Sequence, residues 1–421
     1  MALPLIDELR NRLAGAIAAP EVLSVARGLG CTIAFRIGAA GVAIACRNGQ
    51  PVVVAGDGAD IVLGGDEAAW QKLLAALPPP TYHSFSSIQL RNPDFTVTGN
   101  PLVIAQARAF LEAVFVNLNL HPTHATELDL SPLEGRYHRV RSAGGQVTEV
   151  YSEAAGSGPP VLCLHTAGAD TRQFHGVMCD PQLGQDWRMI GFDMPHHGRS
   201  MPPAGWDGGI YRLDQATYLD WCASFIEQVI GEPVVVMGCS MGAGIALALA
   251  AERPELVSAV IALEAPLRPR GRRNDYLTHA SVNGGWHSAA YVPGLMNPSS
   301  PAEDRRRAAW IYSQGAPDVY DGDLAFYSDE FDGEQIAKRI DGRQIPVFLL
   351  IGHYDFSATV SDSHAIAGWI AGAVVQEMPE LGHFPMTENP SKALQYLRPI
   401  MSELRMRALR SFPERPSGGR S

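Results

Sequence analysis

The chain has 421 residues, of which 46% are hydrophobic and 18% charged; that is enough for a large core and too apolar for wholesale disorder. A formal charge of −11 and a pI near 5.6 exclude phosphate-driven nucleic-acid binding and disfavour an anionic membrane surface. The length calls for two domains, or one large domain with additions.

The first twenty residues, MALPLIDELRNRLAGAIAAP, carry Asp7 and Glu8 where a secretory signal needs basic and then purely apolar residues. They predict an amphipathic helix ending before Pro20 and, with it, a cytoplasmic protein. Short strands follow over 32–37, 41–46, 51–55 and 60–63, separated by turn signals at Arg47-Asn48-Gly49-Gln50 and Gly56-Asp57-Gly58. A helix over 66–76, with Asp66 as its N-cap, precedes a triple proline at 78–80. One more strand over 95–98 and a helix over 101–117 complete a small α+β unit, residues 1–125. The run Ala59-Asp60-Ile61-Val62-Leu63-Gly64-Gly65-Asp66-Glu67-Ala68-Ala69-Trp70, and Phe95-Thr96-Val97-Thr98-Gly99-Asn100 before an apolar helix, resemble the sterol-carrier-protein-2-like module. The resemblance covers about 20–118 and implies a module that often binds lipids or other apolar ligands. The alternative is an accessory unit that packs on a catalytic domain or forms a homodimer.

A linker begins at His121-Pro122-Thr123-His124, and a hairpin follows over 136–152. From Pro159 onward strands alternate with helical stretches, at 161–164, 187–192, 234–237, 257–263, 347–351 and 374–378. This is the pattern of a parallel, doubly wound sheet. Residues 264–340 break it, being rich in Arg, Trp and Tyr with no clear strand, and predict a helical cap inserted over the C-terminal edge of the sheet. The catalytic domain spans 126–410, and residues 411–421 form a frayed tail.

Within this sheet pattern, VVVMGCSMGAGIALALAA (234–251) reads as strand, sharp turn and helix around Gly238-Cys239-Ser240-Met241-Gly242. A G-x-S-x-G turn in that context lifts a serine hydroxyl above the sheet, at the positive end of the following helix. The run is long enough to raise the question of a membrane span, but its polar turn favours a buried strand and helix, so no span is expected. Three further stretches lie at strand ends, where open α/β sheets place their sites. Leu164-His165-Thr166-Ala167-Gly168 offers backbone N–H groups to an oxyanion. Ile351-Gly352-His353-Tyr354-Asp355 delivers a carboxylate. Leu381-Gly382-His383-Phe384-Pro385 supplies an imidazole. The order Ser, Asp, His matches one of the known serine-nucleophile orders and not the two protease orders. A serine needs a base to become a nucleophile, histidine suits proton exchange near neutral pH, and a buried carboxylate fixes the imidazole tautomer.

Residues 133–405 resemble the α/β-hydrolase superfamily through Gly238-Cys239-Ser240-Met241-Gly242, Phe192-Asp193-Met194-Pro195-His196-His197-Gly198-Arg199-Ser200, Gly352-His353-Tyr354-Asp355 and Gly382-His383. The resemblance implies Ser240 as nucleophile, His383 as base and Asp355 as acid. It also implies an oxyanion hole from the N–H groups of Met241 and Ala167. Thr166 stands where the family usually has glycine and competes for that second role. Asp193 and Glu264, which also end strands, are the alternative acids. The serine at the elbow disfavours the haloalkane dehalogenases and epoxide hydrolases of this fold, which use aspartate there. It leaves a cofactor-independent hydrolase of an ester, thioester, lactone or carbamate with a small to medium apolar or aromatic group. The competing readings are a C–C bond hydrolase and an apolar-ligand binding protein with a vestigial hydrolase domain.

In the cap, Trp286, His287, Trp310, Tyr312 and Tyr327 are the candidate substrate contacts. The basic runs 268–273 and 305–307 suit either a carboxylate-bearing substrate or a solvated face. The six cysteines are scattered with no C-x-x-C pair, so neither a metal nor a redox site is expected.

Overall fold

The structure is a computed structural model and describes residues 2–55, 58–118, 125 and 127–411. The predicted linker at 121–124, part of the turn at 56–58 and the tail past 411 lie outside the described residues. Among the described residues the strands form two sheets.

The N-terminal sheet is built from β1 (Thr32–Ile37), β2 (Ala40–Arg47), β3 (Gln50–Ala55), β4 (Ile61–Gly65) and β5 (Phe95–Gly99), in the order β3-β2-β1-β4-β5. β1 and β4 pair in parallel, and the other neighbours are antiparallel. The helices Ala2–Ala16 and Pro101–Leu118 cover it, burying Leu9, Leu13, Phe110, Leu111 and Phe115 against Ile33, Phe35 and Ile44. Pro101–Leu118 is long and apolar enough to cross a membrane by composition, but ten of its residues are buried in this core. Asp66 caps helix Glu67–Leu73 as expected, its side chain accepting from Ala69 N at 2.8 Å.

Two short helices escape the sequence pattern. Pro20 opens Pro20–Val25 rather than only ending the first helix, because a proline at the first helical position lacks only an N–H that would go unpaired. Phe85–Arg91 starts from Ser84, whose Oγ accepts from Ser87 N at 3.1 Å; its serines are capping residues as much as loop residues.

The second sheet holds β6 (Glu134–Arg141), β7 (Val147–Gly156), β8 (Pro160–Leu164), β9 (Arg188–Phe192), β10 (Val234–Cys239), β11 (Val257–Leu263), β12 (Val347–Gly352) and β13 (Val374–Met378). Their order is β13-β12-β11-β10-β8-β9-β7-β6, parallel from β13 to β9, with β7 and β6 antiparallel at one edge. Alternating residues of the central strands feed two cores. Leu162, Leu164, Val234 and Val236 face one side, and Val161, Cys163, Val235 and Met237 the other. Strands buried on both faces read as continuous apolar runs, which is why they were visible in the sequence. The stretch 234–251 is one buried strand and helix Met241–Glu252 of this core.

Between β11 and β12 the chain leaves the sheet and forms helices Gly284–Ala290, Ala302–Ser313, Val319–Leu324 and Gly333–Ala337, with a π-helical turn at Ala325–Glu330. This helical insert lies between the sheet edge and the N-terminal unit. His83 Nε2 donates to Gly294 O at 3.0 Å, and His287 Nδ1 donates to Ala105 O at 3.1 Å.

Candidate active site

β10 runs straight into Ser240, which holds φ +54°, ψ −114°, and helix Met241–Glu252 begins at the next residue. A non-glycine residue there is strained, and such strain persists only where the surroundings enforce it. They do so here. A Cβ on Gly238 would collide with the Gly242 carbonyl, and one on Gly242 with the carbonyl of Leu164 at the end of β8. The turn is thus so tight that both glycines are required. Ser240 N donates to Leu263 O at 2.9 Å, which ties the turn to β11.

Asp355 follows β12, and His383 follows β13. His383 Nδ1 lies 2.6 Å from Asp355 Oδ2, and both side chains are buried. A carboxylate on Nδ1 assigns the proton there and leaves Nε2 as the basic nitrogen. Asp355 Oδ1 accepts from Ser357 N at 2.6 Å, and His383 N donates to Leu295 O of the insert at 2.7 Å. Ser240 and His383 line one small cavity, with Ala167, Tyr312, Tyr320, Tyr327 and Arg272 among the other walls. Its volume is about 30 Å³, room for one or two waters and not for an ester. Ser240 Oγ donates to Tyr327 Oη at 3.1 Å, and Tyr327 Oη lies 3.3 Å from Ser357 Oγ. Tyr327 belongs to the π-helical turn, a distortion that recurs at functional sites.

Glu264, at the end of β11, stands beside this pair. It is fully buried at φ +52°, and both its carboxyl oxygens face Gly352 N, at 2.9 and 3.0 Å. Ligand atoms of Glu264, Asp355 and His383 lie within 4.8 Å of one another. Burial, and then the Asp355 charge, push the Glu264 carboxyl well above its ordinary value. Burial thus favours the protonated form, which can donate to the neighbouring Asp355. Glu388 is also buried and accepts from Gly382 N at 2.5 Å; burial pushes its carboxyl up to about 8. Among the described residues Glu264, Asp355 and His383 are also the group close enough to share an ion. The 2.6 Å contact from Nδ1 to Oδ2 is, however, a direct hydrogen bond. Two ligands of a tetrahedral zinc with bonds of about 2.0–2.1 Å stand roughly 3.3 Å apart.

Several sequence expectations need correction. Thr166 is not placed to serve an oxyanion, because its N–H and Oγ face Gln173 Oε1 at 3.0 and 3.1 Å and its Oγ also meets Tyr312 Oη at 2.5 Å. Ala167 does line the cavity, and Met241 N–H is one of the unpaired donors of a helix N-terminus. Asp193, an alternative acid, is committed to its own turn, accepting from Thr171 N and Arg199 N at 2.9 and 2.8 Å. Of the five cap candidates, Tyr312 and Tyr327 line the cavity. Trp286 and Trp310 do not; they are 48% and 52% exposed and line a separate pocket between the insert and the N-terminal unit. His287 is buried, but against the N-terminal unit. Arg272 and Ser357 were missed as individual residues. Arg272 was hidden in a basic run, and Ser357 lies two residues past Asp355 with no pattern of its own. A larger apolar pocket of about 250 Å³ holds none of Ser240, Asp355 and His383. It lies between the N-terminal unit and the insert, walled by Val25, Ala109, Val116, Trp286, Pro293 and Trp310.

Comparison with known proteins agrees with this architecture. Residues 159–390, just over half of the chain, match the family model for the alpha/beta hydrolase fold. A serine hydrolase-like protein of Danio rerio is 32% identical over 107 residues, 25% of this chain and 31% of that protein. The chain spans about a third of the length of the curated relatives it matches. A thermophilic esterase from Thermogutta terrifontis superposes with a TM-score of 0.56 at 18% identity, over 64% of this chain and 99% of the esterase. A putative aryl esterase from Burkholderia cenocepacia gives 0.54 at 18% identity, over 64% and 98%. With β10, the strained Ser240 turn and the helix behind it in place, the chain belongs to the alpha/beta hydrolase fold family.

Proposed function

We propose that the protein is a cofactor-independent serine hydrolase acting on an ester-like bond, with Ser240, His383 and Asp355 as its triad. The observation that carries this reading is the 2.6 Å bond between His383 Nδ1 and Asp355 Oδ2, in a site whose cavity is shared by His383 and the strained Ser240. In the reaction His383 Nε2 takes the Ser240 Oγ proton as Oγ attacks the carbonyl carbon. The carbonyl oxygen becomes an oxyanion facing the N–H groups of Met241 and Ala167, where one donor typically contributes ~3–4 kcal/mol. The ester C–O bond breaks, the proton passes from His383 to the leaving alkoxide, and an acyl-Ser240 remains. Water gives a proton to His383 and attacks the acyl carbon; the acyl–Oγ bond then breaks, His383 returns the proton to Ser240 Oγ and the acid leaves. Esters and lactones are favoured over thioesters and carbamates because the structurally similar proteins include an esterase and an enol-lactonase.

In this structure the insert closes the site, so it must move outward to admit substrate. Residues 1–125 then act as an accessory unit that buttresses the insert. The supporting contacts to the insert are His83 on Gly294 O and His287 on Ala105 O, and Tyr354 Oη, in the loop after β12, donates to Pro78 O at 3.1 Å. The test is a series of p-nitrophenyl esters of increasing acyl length, assayed with wild type and Ser240→Ala. Turnover with an optimum at short to medium acyl chains, reduced at least ~10³-fold in Ser240→Ala, is expected. A fully active Ser240→Ala protein would refute the reading.

A further inference from the structure

The run 268–273 carries four arginines, and three of them are occupied. Arg268 pairs with Glu334 and Asp332 at 2.9 and 3.1 Å. Arg273 pairs with Asp321 and Asp329 at 2.8 and 2.9 Å. Arg270 donates to the carbonyls of Ser328 and Asp329. Arg272 differs from all of them. Its Nε and Nη2 are buried with no hydrogen-bond partner among the described residues, although it lines the cavity that holds Ser240 and His383. Its guanidinium stands 5.8 Å from the Phe356 ring, and its backbone N donates to Ser328 Oγ at 3.0 Å, which fixes the segment. The insert and the loop after β12 thus hold a cation at the reaction cavity and leave two of its donors unused.

A buried donor without an acceptor is costly, and a charged one more so. Nε–H and Nη2–H are also the pair that point the same way from one edge of a guanidinium. That edge matches the two oxygens of a carboxylate bidentately, which the point charge of an ammonium does not. We propose that Arg272 anchors a carboxylate carried by the substrate, so that the substrates are anionic esters or lactones with a carboxylate at one end and the scissile carbonyl at Ser240. The apolar walls at Leu295, Leu324 and Phe384 would receive the chain between the two ends. The inference rests on the serine-hydrolase reading and narrows its substrate class.

The test compares monoethyl adipate with ethyl hexanoate, two ethyl esters of six-carbon acids that differ by a terminal carboxylate. Values of kcat/KM are measured by pH-stat for wild type, Arg272→Met and Arg272→Lys, with folding checked by circular dichroism and Ser240 labelling checked with a fluorophosphonate. Wild type should prefer the adipate ester. Arg272→Met should lose about 10- to 100-fold in that preference, read as the ratio of the two kcat/KM values, and Arg272→Lys should fall between. An equal adipate-to-hexanoate ratio in wild type and a folded, labelled Arg272→Met overturns the inference alone. If neither ester turns over while Ser240 still labels, protection of labelling by free adipate decides. Slowing in wild type but not in Arg272→Met supports the anchor, and equal slowing or none overturns it. If Ser240 does not label at all, the hydrolase reading falls and this inference with it.

Discussion

Two buried carboxyls end adjacent strands beside His383, and their unequal environments divide the work between them. Asp355 holds the imidazole, while burial and then Asp355 itself push the Glu264 carboxyl toward its protonated form. A neutral carboxyl can donate to Asp355 and stabilise it without adding a second negative charge. Glu264→Gln keeps a donor of similar shape and should retain most turnover. Glu264→Ala removes it and should lower kcat by roughly 10-fold or more; equal kcat values for Ala and wild type would contradict the role. Glu388 offers a separate pH test. Its carboxyl titrates near 8 in the folded chain against 4.5 as its ordinary value. The unfolded chain therefore releases that proton first, and the group's contribution to stability is present below 4.5 and lost as pH rises toward 8. Urea melts between pH 6.5 and 8 should show stability falling in wild type and a shallower slope in Glu388→Gln, whatever offset arises from the nearby Arg305.

The strand-to-helix turn at Ser240 and the insert above it behave oppositely as elements. Helix Met241–Glu252 is buried from Met241 to Ala250, and the turn before it has no spare volume. Gly242→Ala should destabilise by a few kcal/mol, because its Cβ meets backbone at Leu164 rather than a movable side chain; a Tm within 2 °C of wild type would count against this. The insert instead packs short helices over a small cavity of mixed polar and apolar walls. Hydrogen exchange across 284–330 should be faster than in β10, and it should slow when a phosphonate occupies Ser240. The same contrast explains what the sequence revealed. Parallel strands buried on both faces are continuous apolar runs, so the ends of β10 and β12, and with them the positions of Ser240 and Asp355, could be read from the chain, whereas His383 follows the half-exposed edge strand β13. The insert has no such period. Trp286 and Trp310 read as aromatics of the reaction cavity but wall the pocket beside the N-terminal unit, and the occupation of Thr166 by Gln173 depends on two elements meeting. Glu264 was legible as a strand end and an alternative acid, but not as a group whose pKa is raised, since that follows from burial and from Asp355 in the fold.

At the scale of the whole molecule, the N-terminal unit reaches the site through the insert. His83 bonds Gly294 O, and the next carbonyl, Leu295 O, accepts from His383 N. Across the same interface His287 bonds Ala105 O in the opposite direction. Burial lowers both imidazoles to about 4, with Arg305 adding to the effect on His83 and Arg108 to that on His287. A depressed histidine contributes stability that is present above its ordinary 6.5 and lost as pH falls toward 4, because the unfolded chain takes up the proton first. Stability should therefore drop between pH 6.5 and 4, and His83→Gln with His287→Gln should flatten that drop; an unchanged slope would remove the two histidines from the interface account. The measurement that tests the central claim most directly is a fluorophosphonate reaction with the intact protein, with the adduct mapped by mass spectrometry. The account predicts one adduct, on Ser240, abolished by denaturation and slowed at least ~100-fold in His383→Ala. A folded protein that forms no Ser240 adduct, or forms it equally fast without His383, would contradict it.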